Sequence, residues 1–311
     1  MKVFVLAPKE NWICDRIAKE WKSSNPDFDV DKPEDADILW LLAGWCWRHI
    51  PVNLLKSKKT ILTLHHIVPE KFDNKKYDEF VEREQYIDAY HVPNKITANF
   101  LAQITSKPIY VVSYWYNEKD WKPFEKSKAR KQLNLPKNKF IIGSFQRDSE
   151  GNTNQPKLEK GPDILSEVIS KIQDNLKKDV HVLLGGWRRS YIKSCLEMKG
   201  IEYTLKEKSD ISDLRKMYSA CDLYVVSSRY EGGPQAILEA AATKTPIVSR
   251  DVGIASSILS PYCIIDMPSQ VVLPPTSTVE QNFENIQHLE IENHKKKYLL
   301  VFEDVLGDHK N

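Results

Sequence analysis

Two glutamates, Glu231 and Glu239, bracket a seven-residue gap in the stretch Ser227-Ser228-Arg229-Tyr230-Glu231-Gly232-Gly233-Pro234-Gln235-Ala236-Ile237-Leu238-Glu239. Glycine lets backbone N–H groups come close to a ligand, and proline favours the start of a helix. The positive end of that helix would add to an anion site suited to phosphate. Glu231 falls in the loop, and Glu239 falls more than a turn into the helix. They are therefore not a close carboxylate dyad. They suit the hydroxyls of two different parts of one elongated ligand. The plain alternative for Glu239 is a surface helix position. Its neighbours Ala236, Ile237, Leu238, Ala240 and Ala241 argue against that, because a carboxylate on a helix apolar on most sides needs a partner.

The elements that must position this stretch follow from apolar runs separated by helical periodicity. Strands are expected at 2–7, 37–42, 60–64, 89–92 and 109–113, with helices at 11–22 and 95–103. A polar segment and a helix at 126–133 follow. A second alternation then has strands at 140–144, 180–184, 202–205, 223–227, 247–249 and 263–265, with helices at 163–176, 190–199, 211–220 and 234–242. Residues 279–307 read as one long helix or two shorter ones. The expected fold class is α/β, with two Rossmann-like doubly wound domains, 1–115 and 116–275, and a helical tail, 276–311. Paired domains of this kind hold ligands beyond the carboxyl ends of their strands, in the cleft that they face.

The stretch around Glu231 and Glu239, continued by Ala240-Ala241-Ala242-Thr243-Lys244-Thr245-Pro246-Ile247-Val248, resembles the signature of the retaining glycosyltransferases of family 4, which have the GT-B fold. Upstream, Leu214, Met217-Tyr218 and Cys221-Asp222-Leu223 match the helix and strand before that signature. Gly143 to Arg147 and Lys160-Gly161-Pro162-Asp163 resemble the family's Gly-Arg and Lys-Gly pair. The segment 116–123 is similar to its interdomain linker. The resemblance covers 110 to about 260 well and the first domain thinly.

The resemblance implies a role for each matching residue. Arg147 and Lys160 would hold the donor diphosphate, where fixed cations stabilise a departing anion; solvated surface charge is the plain alternative. Glu231 would bind hydroxyls of the transferred sugar and Glu239 those of the ribose. Gly232, Gly233 and Pro234 would lie near sugar and phosphate, and Tyr203, Leu205 and Lys206 near the base. In Thr63-Leu64-His65-His66, His65 aligns with a histidine that faces the donor sugar, with His66 second; a structural histidine is the alternative. The tail would pack back on the first domain. The implied activity is metal-independent transfer, with retention, from a UDP- or GDP-linked sugar to a glycan, lipid-linked or other acceptor. No cofactor is expected besides this nucleotide sugar, the donor substrate.

Some features depart from the family pattern. Ala7-Pro8-Lys9-Glu10-Asn11 replaces a Gly-rich turn after the first strand, and twelve residues separate Arg147 from Lys160. The extra segment, 148–159, reads either as a mobile loop over the donor or as a tolerated surface insertion. Five of the eight tryptophans (Trp12, Trp21, Trp40, Trp45, Trp47) fall in the first 47 residues, as core or as sugar-stacking surface.

Composition excludes several classes. In 311 residues, 45 Lys and Arg face 43 Asp and Glu, for a net charge of +2, which does not suit a nucleic-acid binder. The longest apolar run, 38–47, is about half of a membrane span, and the first residues are too short for a signal-peptide core. A cytoplasmic location is expected. Lys56, Lys58 and Lys59 could give peripheral contact with the inner membrane face, or form a solvated loop. Five dispersed cysteines suggest neither a disulfide framework nor zinc. Two other functions fit the same architecture. A nucleotide-sugar epimerase would release epimerised sugar without an acceptor. A catalytically degenerate nucleotide- or glycan-binding protein would bind and not turn over.

Overall fold

The computed structural model describes residues 1–10, 13–176 and 179–307. The chain forms two compact units, one of Met1–Trp115 with the segment from Ile291 onward, the other of Tyr116–Glu290. In chain order the first unit contains β1 (Val3–Leu6), α1 (Ile13–Ser24), β2 (Ile38–Leu41), α2 (Val52–Ser57), β3 (Lys59–Thr63), α3 (Asn74–Glu84), β4 (Ala89–Val92), α4 (Lys95–Leu101) and β5 (Ile109–Val111). The second contains α5 (Lys126–Gln132), β6 (Phe140–Ser144), α6 (Pro162–Leu176), β7 (Val180–Gly185), α7 (Ser190–Met198), β8 (Glu202–Lys206), α8 (Ile211–Ala220) and β9 (Leu223–Val226). It continues with α9 (Gln235–Ala242), β10 (Ile247–Arg250), α10 (Ala255–Ile258), β11 (Ile264–Ile265) and α11 (Ser277–Ile286). The last helix, α12 (Ile291–Leu306), returns to the first unit.

The first sheet is parallel, with its five strands in chain order. β2 is buried at every position, as expected of a parallel strand covered on both faces. The winding reversal of a doubly wound sheet is reduced here to one bridge, Val3 with Asp29 on the far side of β1. Val3 N donates to Phe28 O at 2.8 Å, and Val30 N donates to Val3 O at 3.1 Å. Trp21 and Trp40 meet edge to face at 5.3 Å in the core. α12 adds Tyr298 and Phe302, 5.3 and 5.4 Å from Trp40. Trp47 is buried and stacks on Tyr86, while Trp45 stays exposed. Trp12 lies outside the described residues.

The second sheet has the order β11-β10-β9-β6-β7-β8, all parallel. Its winding reverses between β6 and β9, the topological switch point beyond whose carboxyl ends sheets of this kind hold ligands. This unit runs on to Glu290, past the expected boundary at 275, because Ile286 and Leu289 join its core beside Trp121 and Ile258. The tail is therefore two helices that part company, α11 with unit 2 and α12 with unit 1. Asp210 caps α8, accepting from Asp213 N at 2.7 Å.

The structure adds α2 and α3 to the elements expected from the sequence. α3 buries only Phe80, so it has no apolar stripe; Asp73 caps it, accepting from Lys76 N at 2.9 Å. Of the basic cluster, Lys58 donates to Glu34 O at 2.9 Å and Lys59 pairs with Asp88 at 3.0 Å. Among the described residues, no helix is long and apolar enough to cross a membrane.

Candidate functional site

The loops after β6 and β9 are tied together by polar side chains. Gln146, two residues beyond β6, donates through Nε2 to Lys160 O at 2.8 Å and to Ser227 Oγ at 3.1 Å. Ser227 Oγ in turn donates to Lys160 O at 3.1 Å. Ser228 Oγ stands 3.1 Å from Gln146 Oε1 and 2.8 Å from Glu231 Oε1, its one proton serving either. Lys160 Nζ donates to Glu231 Oε1 at 2.6 Å. Their side chains keep 19% and 15% of their exposure, so this ion pair is shielded yet reachable from solvent.

A second strap lies beside the first. The Arg229 guanidinium forks onto Asp163 at 2.8 and 2.6 Å and also reaches Leu158 O. The Arg229 contact holds the Asp163 carboxyl below its usual range. The approach requires Gly161: its φ is +59°, and a Cβ there would overlap the Ser227 carbonyl oxygen. Gly253 plays the same part against Gly232 O, and a side chain would also crowd Pro234 at 2.9 Å.

Glu239 is buried on α9 and has the partner that its apolar helix demands. Tyr218 OH donates to its Oε2 at 2.7 Å. Tyr218 sits in an aromatic cluster, 4.8 Å from both Phe145 and Tyr224. Burial first, and the Glu239 charge second, push the Tyr218 phenol well above its ordinary pKa. It remains a donor across the physiological range.

The segment 148–159 is a hairpin. Ser149 pairs with Pro156, and Lys157 N donates to Asp148 O at 2.8 Å. At its base, Asp148 and Arg189 form an ion pair at 2.6 Å with neither side chain exposed. Burial raises the Asp148 carboxyl above its usual range while Arg189 pulls it down. Arg189 also donates to Ser144 O at 3.0 Å, to Gly185 O at 3.2 Å and to Gln146 O. One guanidinium thus fastens the ends of β6 and β7 to the loop that carries Arg147, which is half-buried.

Other expected site residues stand apart from these loops. Tyr203, Leu205 and Lys206 lie on the edge strand β8, two strands from β6, about 10 Å at normal spacing. The Tyr203 hydroxyl donates to Glu197 on α7 at 2.7 Å. Leu205 packs on the core, and only Lys206 reaches the carboxyl end of the strand, where its carbonyl accepts from Gly186 N. Gly232, Gly233 and Pro234 lead from Glu231 into α9, which starts at Gln235, with Pro234 as its cap residue.

His65 and His66 follow β3 in the first unit. His65 Nε2 lies 2.7 Å from Leu42 O, which can only accept, so Nε2 carries the proton. Nδ1 then accepts from Tyr114 OH. Both ring nitrogens of His65 are engaged within its own unit; His66 is half-buried beside it. Nearby Cys14 is buried 3.2 Å from His65 Nε2, and burial pushes its thiol up to about 12. Among the described residues, no group of three or more His, Cys, Asp or Glu is placed to hold a metal ion.

Several of these residues carry no mark in the sequence. Gln146, Asp148 and Arg189 are polar residues among polar neighbours, and Arg188 beside Arg189 is exposed. The one available signal is the pair Ser227-Ser228 closing an apolar strand.

The model of the family described as Glycosyl transferases group 1 matches residues 125–299, more than half of the chain. The chain is 29% identical over 192 residues to the glycogen synthase of Fervidobacterium nodosum, covering 58% of this chain and 37% of that one. It spans less than half the length of the glycogen synthases that it matches. Among solved structures, Anabaena HepE in complex with UDP and glucose superposes with a TM-score of 0.73 at 15% identity, covering 97% of this chain and 99% of HepE. Sucrose-phosphate synthase from Thermosynechococcus elongatus gives 0.68 at 16% identity, covering 97% and 81%. These likenesses establish the GT-B fold.

Proposed function

The chain belongs to the glycosyl transferases group 1 family, and from that premise we propose that it moves a sugar from a UDP- or GDP-linked donor to a hydroxyl of a glycan or lipid-linked acceptor. The observation that carries this reading is the Lys160–Glu231 ion pair at the reversal of the second sheet. It sets a cation for phosphate beside a carboxylate for sugar hydroxyls.

In this reading Lys160 and Arg147 face the diphosphate, and Glu231 orients the sugar. Glu239, held by Tyr218, accepts from the ribose hydroxyls. The amides of Gly232 and Gly233 and the start of α9 line the phosphate side. The end of β8 at Lys206 lies toward the base, with Tyr203 and Leu205 supporting that strand. His65, with its nitrogens engaged by Leu42 and Tyr114, shapes the end of β3.

We assign retention of configuration. The bond from the anomeric carbon to the diphosphate breaks, and the acceptor oxygen attacks the same face. The departing phosphate oxygen takes the acceptor proton, so no strong protein base is required. Charge on the leaving diphosphate is met by Lys160 and Arg147, fixed cations that act without a metal ion. Orientation supplies much of the remaining rate.

Thermal unfolding with UDP, GDP, ADP and CMP tests the reading, with wild type beside Glu239→Ala and Lys160→Ala. A nucleotide at a hundred times its Kd adds about 2.7 kcal/mol, which moves the midpoint by several degrees. One nucleoside diphosphate should stabilise the wild type and neither variant. No shift at millimolar concentration with any of the four would overturn the donor site. Nucleotide binding without transfer to any acceptor would favour the degenerate binder.

A further inference from the structure

We propose that Gln146 is a positioning residue that holds Lys160 and Glu231 at the geometry the donor requires. The inference rests on the donor site proposed above. The Gln146 amide spans three segments: the end of β6, the turn carrying Lys160, and the loop after β9. Its Nε2 donates to the carbonyl of Lys160 itself, so it fixes the backbone from which that side chain extends. Its Oε1 meets Ser228, whose hydroxyl also meets Glu231 Oε1. One side chain therefore touches, directly or through a single hydroxyl, both members of the ion pair.

The Gln146 backbone is fixed in turn. Its carbonyl accepts from Arg189, which is fully buried and paired with a fully buried Asp148. A buried ion pair contributes little net stability compared with apolar packing, and its best-attested use is to specify one arrangement. Here the arrangement specified is that of the loop bearing Gln146 and Arg147. The polar side chain at 146 is thus anchored from behind by a charged pair and aimed at Lys160 and Glu231 in front. No contact of Gln146 with the ligand is required.

Measuring the dissociation constant of UDP or GDP, whichever binds the wild type, separates this role from a merely structural one. The variants are Gln146→Ala, Lys160→Met and their combination. Removing hydrogen bonds that hold a charged partner should weaken binding about tenfold in Gln146→Ala. If Gln146 acts through Lys160, the same change should cost less than about twofold once Lys160 is Met, because coupled residues are not additive. A full loss repeated in the Lys160→Met background would overturn the inference, since Gln146 would then touch the ligand or act on stability alone. An unchanged constant in folded Gln146→Ala would also overturn it. Gln146→Glu provides a second variant of the same shape. It replaces the donor facing Lys160 O with an acceptor, and should weaken binding at least as much. A wild type that binds neither nucleotide removes the donor site and this inference with it; a wild type that binds while Gln146 proves silent removes the inference alone.

Discussion

At the end of β3 the two ring nitrogens of His65 are engaged by Leu42 and Tyr114, whereas past the end of β9 Glu231 meets a lysine that remains partly open to solvent. Both units present polar side chains at the carboxyl ends of parallel strands, and they treat them oppositely. In unit 1, burial favours neutral forms: Cys14 is pushed up to about 12, Tyr114 well above its ordinary value, and His91 down to about 4. His91 is fully paired in that form, its Nε2 donating to Val112 O at 2.8 Å and its Nδ1 meeting Thr63 Oγ1 at 2.9 Å. In unit 2, Lys160 pairs with Glu231 and Arg229 with Asp163. The difference teaches that strand-end position alone does not make a site. A ligand with charge needs ionisable groups that are paired with one another and shielded only partly.

The contrast can be broken first at the core of unit 1. Phe302→Ala removes a buried ring that packs on Trp21 and Trp40, and should cost about 4 kcal/mol. Tryptophan fluorescence during denaturant unfolding reads this, because Trp21, Trp40 and Trp115 lie in that core. Nucleotide affinity of the folded variant should stay within about twofold, on the scale of uncoupled sites; a larger loss would mean that the units do not divide their work as described.

Acid gives the next effect. The unfolded chain takes up a proton at His91 near its ordinary value of 6.5, while the folded chain refuses it until about 4. Stability from this group is therefore complete above pH 6.5 and falls as pH drops toward 4, by about 3 kcal/mol in all. His91→Gln should flatten that slope in unit 1. In unit 2, burial also lowers His181, but Glu202 opposes it, so the corresponding slope should be shallower. Equal slopes in the two units would remove the distinction.

The smallest effect sharpens the comparison from the other side. Asp210→Ala removes the cap of α8, which carries Tyr218 toward Glu239. It should cost about 1 kcal/mol in unit 2, seen by circular dichroism during unfolding, with the fluorescence transition of unit 1 unmoved.

Much of this was legible in the residues, for reasons that differ by region. Strands such as β7, buried along its whole length, announce themselves as apolar runs between turn residues. Glu239 declared its need for a partner through the alanines around it, and Tyr218 supplies it. α3 escaped notice because it rests on one buried ring and a cap. The network at the site escaped because its bonds join residues far apart: Lys160 and Glu231 are 71 positions apart, Gln146 and Ser228 82. Sequence periodicity carries no information on such pairs. Arg188 and Arg189 are the same residue type side by side, one exposed and one sealed, and only the fold distinguishes them.

The return of the last helix to the first unit bears on how the chain is made. Tyr298 and Phe302 complete the core around Trp21 and Trp40, yet all of residues 116–290 are synthesised in between. At ordinary elongation rates that interval is on the order of ten to thirty seconds. The unit begun first is therefore finished last, and Trp21 and Trp40 wait for Tyr298 and Phe302. The unit begun second holds its whole sequence in one stretch, 116–290, and waits on no later segment.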